Sequence, residues 1–362
     1  MKKWIAALLL LSMLLAACGK TPAPTEAPTA APTEAPTEAP TEPPTEPPTE
    51  PPTEPEPVYT NPLTGEVIEA PLDTRIFAVS INNVAEAIPH YGVYKADIYM
   101  EMFVNWSIIR GFALFADPAE AESIGSVRST RYMFNDIAEH YNLIVAHAGG
   151  DRRVLNNAYQ LGLDHFNIDT WDDSGYSYRD KVRNETHTWE HCLFARGSEL
   201  KNYALEKGID ISADPEKDYL LRFTEDGTPA EGENCDWVNI HFIDYGKKET
   251  RMVYDAETDL YVYNQYGQEM VDGIDGVKEG FQNVIIMMIP VSRVPGGYQT
   301  TDFLAGGEGY FACGGKIIPI LWSCDGDQEP FRFTTLDGEP LLMGVGNTYM
   351  ALAPLQSEIT WE

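Results

Sequence analysis

Long hydrophobic runs are scarce in this 362-residue chain. After the first fifteen residues no stretch approaches the ~20 apolar residues that a membrane-crossing helix needs. Basic side chains are also few, with 25 Lys and Arg against 56 Asp and Glu and a formal net charge of −31. Such a balance repels nucleic acid and other polyanions at long range, so nucleic acid is excluded as a partner, and any anionic partner needs a local basic pocket. There are five cysteines and no Cys-x-x-Cys, which excludes a zinc ribbon and a disulfide-dense scaffold. The Gly-x-Ser-x-Gly elbow of hydrolases is missing. Gly314-Gly315-Lys316 runs into Ile317 where a phosphate-binding loop needs Ser or Thr. No motif asks for a cofactor, and none is expected.

The N-terminus is informative by contrast. Lys2 and Lys3 precede an apolar run from Trp4 to Leu15, and Leu15-Ala16-Ala17 leads into Cys18. Residues 1–17 have the layout of a secretory signal peptide. The tetrad Leu-Ala-Ala-Cys resembles the bacterial lipobox, in which cleavage leaves an acylated cysteine as the new N-terminus. Cys18 is therefore the expected lipidation site. Two or more acyl chains anchor stably, since each buried methylene contributes about 0.8 kcal/mol. The expected address is the extracytoplasmic face of the cell membrane, with the membrane a partner through this lipid.

Residues 18–57 repeat Ala-Pro-Thr-Glu and then Glu-Pro-Pro-Thr. This segment has no apolar residue large enough to build a core, so it reads as a disordered Pro-rich linker. In polyproline II it would reach roughly 120 Å at ~3.1 Å per residue. Only eight of the acidic residues lie before residue 58, so the body beyond it is itself acidic.

The body reads as α+β, a mixed α/β domain over residues 58–223 followed by a β-rich domain over 235–362. In the first, Arg75–Ile81 and Ala96–Val104 are predicted strands, the latter with Ile98, Met100, Met102 and Val104 on one face. Asp97, Tyr99, Glu101 and Phe103 share the opposite face, which the two carboxylates suggest is solvated. Ile109–Phe115 pairs back on this strand. Helical spacing at Thr130–Tyr141 and at Asp151–Leu161 brackets a strand at Leu143–His147, and Ser198 is placed to cap a third helix ending at Gly208. The acidic stretch Thr224–Asn234 divides the halves. Beyond it lie eight short runs rich in aromatic and β-branched residues: Trp237–Ile243, Arg251–Tyr254, Leu260–Tyr263, Val284–Ile289, Gly309–Cys313, Ile317–Trp322, Phe331–Thr335 and Thr348–Ala353. Cys192, Cys235, Cys313 and Cys324 allow three pairings that spacing does not resolve, and buried thiols are the simpler expectation. A hairpin turning at Gly314-Gly315 would set Cys313 opposite Lys316 and out of reach of Cys324.

Three loops carry candidate chemistry. Ser126-Val-Arg128-Ser129-Thr-Arg131 enters the first helix. His147-Ala-Gly149-Gly150 leads into the second. Arg179-Asp180, Arg183 and His187 lie in a polar loop. If they converge they form a basic cleft suited to a carboxylate, phosphate or glycan. The competing expectation is that these arginines neutralise carboxylates within the fold. No catalytic residue and no metal ligand is assigned. His187-Thr-Trp-Glu190-His191 does spell the H-x-x-E-H pattern of inverted zinc peptidases, so a metal-dependent hydrolase acting on peptidoglycan or peptides is the alternative. That chemistry needs both histidines on one helical turn, and the surrounding sequence lacks helical periodicity.

Asn61-Pro-Leu-Thr-Gly65, Ile81-Asn-Asn83 with Pro89, Ala96-Asp-Ile98 with Glu101, Ser126-Val-Arg128-Ser129 with Arg131, His147-Ala-Gly-Gly150 and Arg179-Asp180 before His187 follow one another in an order that resembles the YerB-type lipoproteins of Gram-positive bacteria. Asn283-Val-Ile-Ile, Gly314-Gly-Lys316, Trp322, Pro330, Asp337-Gly338 and Gly346-Asn-Thr continue the resemblance through the second half. It implies two successive domains and an envelope setting near the wall. Binding or accessory work on a wall glycan or a wall-synthesis protein is then expected, more in keeping with a non-enzyme. Where that pattern tends to read Pro-His-Asn, this chain has Thr186-His187-Thr188, and His191 has no counterpart in it.

Overall fold

The computed structural model describes residues 57–105, 108–242 and 248–362. The expected signal peptide and lipidation site at Cys18 and the Pro-rich repeat lie outside the described residues. The strands and helices used below are β1 (Phe77–Ile81), β2 (Ile98–Asn105), β3 (Ile108–Phe115), β4 (Ile124–Gly125), α1 (Tyr132–Tyr141), β5 (Ile144–His147), α2 (Arg152–Gln160), β6 (His165–Asn167), β7 (Ser177–Arg179), β8 (Leu193–Ala195) and α3 (Leu200–Glu206). The second half supplies β9 (Trp237–His241), β10 (Glu249–Asp255), β11 (Leu260–Gln265), β12 (Asn283–Ile289), β13 (Gly307–Cys313), β14 (Lys316–Ser323), β15 (Arg332–Thr335), β16 (Thr348–Pro354) and β17 (Glu358–Trp361).

One mixed sheet runs in the order β14, β13, β12, β16, β2, β3, β1, β5, β6. Strands from both halves of the sequence therefore lie in the same sheet, and the join is the parallel pair β16–β2, with Tyr349 opposite Tyr99 and Ala351 opposite Glu101. β2 pairs antiparallel with β3 on its other side, through Met100 and Phe112. A strand held on both edges and covered on both faces reads as a nearly continuous apolar run, and Ile98–Val104 is buried throughout.

Each face has its own cover. On one, Ile98, Met100, Met102, Phe112 and Leu114 pack against α1 through Met133, Phe134 and Ile137. Phe112 and Phe134 stack with centroids 4.4 Å apart. On the other, Tyr99, Phe103 and Tyr349 meet Val238, Met252 and Tyr263 of a second sheet ordered β11, β10, β9, β17. That second sheet buries alternate residues and leaves the others to solvent, as an antiparallel sheet packed on one side does. A small sheet, β4–β8–β7, lies beside β1, with Val127 bridging to Ile81.

The structure corrects the solvated face expected for β2: Glu101 has no exposure at all, and Asp97 is half-buried. Alternation showed which residues share a face. The cover arrives from β9–β11, far along the chain. The first helix starts at Tyr132, because Thr130 is tied by its N–H to the Gly149 carbonyl and Arg131 is extended. Ser198 lies within a 3₁₀ turn, Gly197–Glu199, and caps nothing. The second helix is capped by the Asp151 carboxylate on Arg153 N–H at 2.9 Å. All four described cysteines are buried free thiols, and Cys313 does face Lys316 across Gly314 and Gly315, whose φ of 55° and 71° suit that turn.

Candidate functional site

The loop ahead of α1 is laid into the fold as an extended strand. Asn82 N–H donates to Ser126 O (2.8 Å), Arg128 N–H to Ser80 O (2.9 Å), Ala148 N–H to Arg128 O (2.9 Å) and Val127 N–H to Leu193 O (2.7 Å). The 126–131 and 147–150 loops therefore meet backbone to backbone. The 179–191 loop joins them where Glu190 pairs with Arg128 and the Asn82 amide meets His191 Nδ1 at 2.7 Å. In that sense the three sequence-predicted loops do converge.

Their side chains fare differently. His147 is buried, with Nδ1–H toward Gly149 O (2.9 Å) and Nε2 toward His165 Nδ1 (2.9 Å), and burial pushes it down to about 4, so its ring is neutral and engaged. Gly149 gives its N–H to Asn167 Oδ1. Gly150 packs against Thr130 and Leu155. Arg179 donates to Thr170 O (2.7 Å), Trp189 O (2.6 Å) and Asp169 Oδ1 (2.5 Å) and lies 4.2 Å over the Trp189 ring. Asp180 caps the next turn through Val182 and Arg183 N–H. Arg183 is spent on the carbonyls of Ala87, Pro89 and His191. His187 bonds Thr186 and Ile88 O. Arg179, Arg183 and His187 fasten a loop whose carbonyls would otherwise be buried without donors. Within the H-x-x-E-H run, His187, Glu190 and His191 turn to Ile88, Arg128 and Asn82, so the run presents no common ligand set.

What remains is an arginine cluster at the start of α1. Arg110 projects from β3 on the α1 face and donates to Ser129 O at 2.8 Å. Arg131 donates to the same carbonyl (3.2 Å) and to Thr130 O (2.7 Å), while Tyr298 lies 5.6 Å beneath its guanidinium. Arg128 completes the group. Arg110 is 3% exposed and Arg131 9%, and no ion pair among the described residues engages either of them. The Nε of all three arginines are buried without a partner. Buried donors are satisfied in folded proteins as a rule, so three such donors in one cluster suit an anionic acceptor. Burial, then Arg128 and Arg131 as neighbours, holds Arg110 well below the usual arginine range, and burial is the main influence bringing Arg131 down to about 10. α1 adds to this polarity: it is ten residues long, with no side-chain cap and no acidic residue in its first turn. Three cations at the positive end of a helix are stable together when an anion sits among them.

Arg110 escaped the sequence reading because it lies inside an apolar strand, Ile108–Phe115, rather than in a loop. Its signal was the charge itself, the one ionisable side chain in that run. Beside the cluster lies an aromatic pair: Trp171, 85% exposed, and Trp189, 39% exposed, with centroids 5.6 Å apart. Trp189 adjoins Glu190, which pairs with Arg128 of the cluster.

Comparison with known proteins accords with this architecture. Residues 63–210 match the family described as protein of unknown function (DUF3048) N-terminal domain, and residues 238–350 match its C-terminal domain. The Bacillus subtilis (strain 168) protein named "Putative lipoprotein YerB" is 27% identical over 306 residues, covering 81% of this chain and 86% of the relative. The crystal structure of YerB from Bacillus subtilis superposes with a TM-score of 0.71 at 22% identity, covering 83% of this chain and 99% of the other, which establishes a shared fold. With both domain models matched in order across the folded body, the chain belongs to the DUF3048 family.

Proposed function

We propose that this chain is a lipid-anchored protein of the extracytoplasmic face of the cell membrane that binds an acidic glycan of the cell envelope, holding its anionic group at Arg110, Arg128 and Arg131. The observation that carries this is the set of three buried guanidinium Nε donors without acceptors in a chain of charge −31. A carboxylate or phosphate would accept from those donors, and Trp171, which packs on Trp189 and is 85% exposed, offers a ring face for a sugar. The anchor rests on the Leu15-Ala-Ala-Cys18 tetrad, and the lipoprotein name of the relative supports it. A wall-synthesis protein presenting an acidic group is a partner of the same chemistry.

Titration calorimetry of the purified chain with inorganic phosphate, and pull-down with isolated wall fragments, test the reading. A charge-assisted hydrogen bond contributes about 1.5–3 kcal/mol, so Arg131→Gln should weaken phosphate binding roughly 10- to 100-fold. Trp171→Ala should reduce capture by wall fragments and leave phosphate binding intact. Unchanged phosphate binding in Arg110→Gln and Arg131→Gln would discard the cluster as the site. The anchor is checked separately: Cys18→Ala should move the chain from the membrane to the soluble fraction.

A further inference from the structure

A second polar centre lies where β9–β11 cover the large sheet, apart from the arginine cluster and on the opposite face of β2. Glu101 is its hub. Oε1 accepts from Asn83 Nδ2, Lys248 Nζ and Tyr263 OH, and Oε2 accepts from Thr250 Oγ1 (2.6 Å) and Tyr349 OH. Asn83 Nδ2 and Lys248 Nζ also share a second oxygen, Tyr263 OH, at 3.3 and 3.2 Å. The side-chain amide of Asn83 and the amine of Lys248 thus flank the same two oxygens. Neither has useful contact with water: Asn83 is 0% exposed and Lys248 3%. Tyr99, Tyr263, Phe281 and Tyr349 surround them, with ring centroids 5.7–6.3 Å apart. Asn83 Oδ1 is buried with no partner.

This arrangement has the parts of an acyl-transfer site. Burial pushes Lys248 down, toward the neutral amine that acts as a nucleophile, while at Glu101 burial, which raises the carboxyl, is outweighed by Lys248, Thr250 and Tyr263, which hold it below its ordinary value. Passing one proton along the Lys248–Glu101 hydrogen bond removes both buried charges at once and leaves an amine beside a carboxylic acid. We infer that Lys248 and Asn83 join in an intramolecular amide bond, with Glu101 as the catalytic acid and base.

In the first step Lys248 Nζ attacks Asn83 Cγ. The two ends of the asparagine amide exchange by rotation, so its oxygen meets the Glu101 acid, which protonates it as the tetrahedral carbon forms. Glu101, now a carboxylate, relays a proton from Nζ to the departing nitrogen, and as the Cγ–Nδ2 bond breaks the oxygen returns its proton to Glu101 and the carbonyl re-forms. One amine and one primary amide become one secondary amide and one ammonia. No oxidant, metal or nucleotide is consumed. The product ties the N-terminal half to the C-terminal half covalently, in a chain whose four described cysteines are all free.

Intact mass of the purified mature chain, denatured and reduced, decides the matter once the lipid on Cys18 is counted into the sequence mass. The expected mass falls below the sequence mass by one ammonia, and a proteolytic digest should yield a branched peptide containing both Asn83 and Lys248. Deamidation cannot mimic this, because it adds water as ammonia leaves and raises the mass. Glu101→Gln and Lys248→Arg should each restore the full sequence mass. A wild-type chain of full sequence mass, or a deficit that persists in Lys248→Arg, overturns the inference. The wild-type measurement stands alone even if a variant fails to fold.

Discussion

Two titrating side chains pull the stability of this protein in opposite directions with pH. His147, pushed down to about 4 by burial and then by His165, binds a proton less readily folded than unfolded, where its ordinary value is 6.5. Between those values the unfolded chain holds more protons, so the stability due to a neutral His147 is complete above pH ~6.5 and lost as pH falls toward 4. Asp136 behaves in the reverse sense. Burial, with Glu139 and Asp327 nearby, raises it to about 7 from 3.8, so the folded chain holds the extra proton and acidification through that window stabilises it. Urea denaturation at pH 7.5 and pH 5 should therefore show Asp136→Asn gaining less on acidification than the wild type. His147→Asn should lose less between pH 6 and pH 4.5. The side chains of Arg179, Arg183 and His187 belong to this scale too. Their types were legible as hydrogen-bonding and basic, but which buried carbonyls would claim them depends on how the 87–91 and 179–191 loops meet.

The elements transmit that local chemistry through packing. α1 is held to the sheet by Phe134 on Phe112, both fully buried, and at its start Arg131 and Arg110 share the Ser129 carbonyl. Phe134→Ala should cost about 3–5 kcal/mol in chemical denaturation, the usual range for deleting a buried ring. On β3, a Cβ added at Gly111 would come within 2.3 Å of the Tyr99 hydroxyl. Gly111→Ala must therefore displace a tyrosine of the Glu101 centre, an overpacking cost of about 1–3 kcal/mol readable as a lowered denaturation midpoint. Helix and strand positions at this scale were largely legible. Period-2 and helical spacing anticipated β2, β3, α1, β5 and α2 to within a residue or two, because each buries a face along its whole length. The short 3₁₀ turns at Arg183–Glu185 and Trp189–His191 carry no such period and were not anticipated.

For the whole molecule the governing fact is that β2 of the first half pairs with β16 of the second. Residues 57–223 alone would expose one edge of β2 and the Tyr99, Glu101 and Phe103 face. That segment should lack a cooperative thermal transition, and mixing it with residues 235–362 should restore one. Equal cooperativity with and without the partner segment would contradict the shared sheet. Sequence by itself determined the α+β class, the acidity and most element boundaries, since these follow from composition and local periodicity. Tertiary structure alone decided that Glu101 is buried, that Arg110 joins Arg128 and Arg131, and that Asn83 and Lys248 share the Glu101 carboxylate. Each of these depends on contacts between residues far apart in the chain, and the pattern of one strand records which side chains share a face but not what comes to cover it.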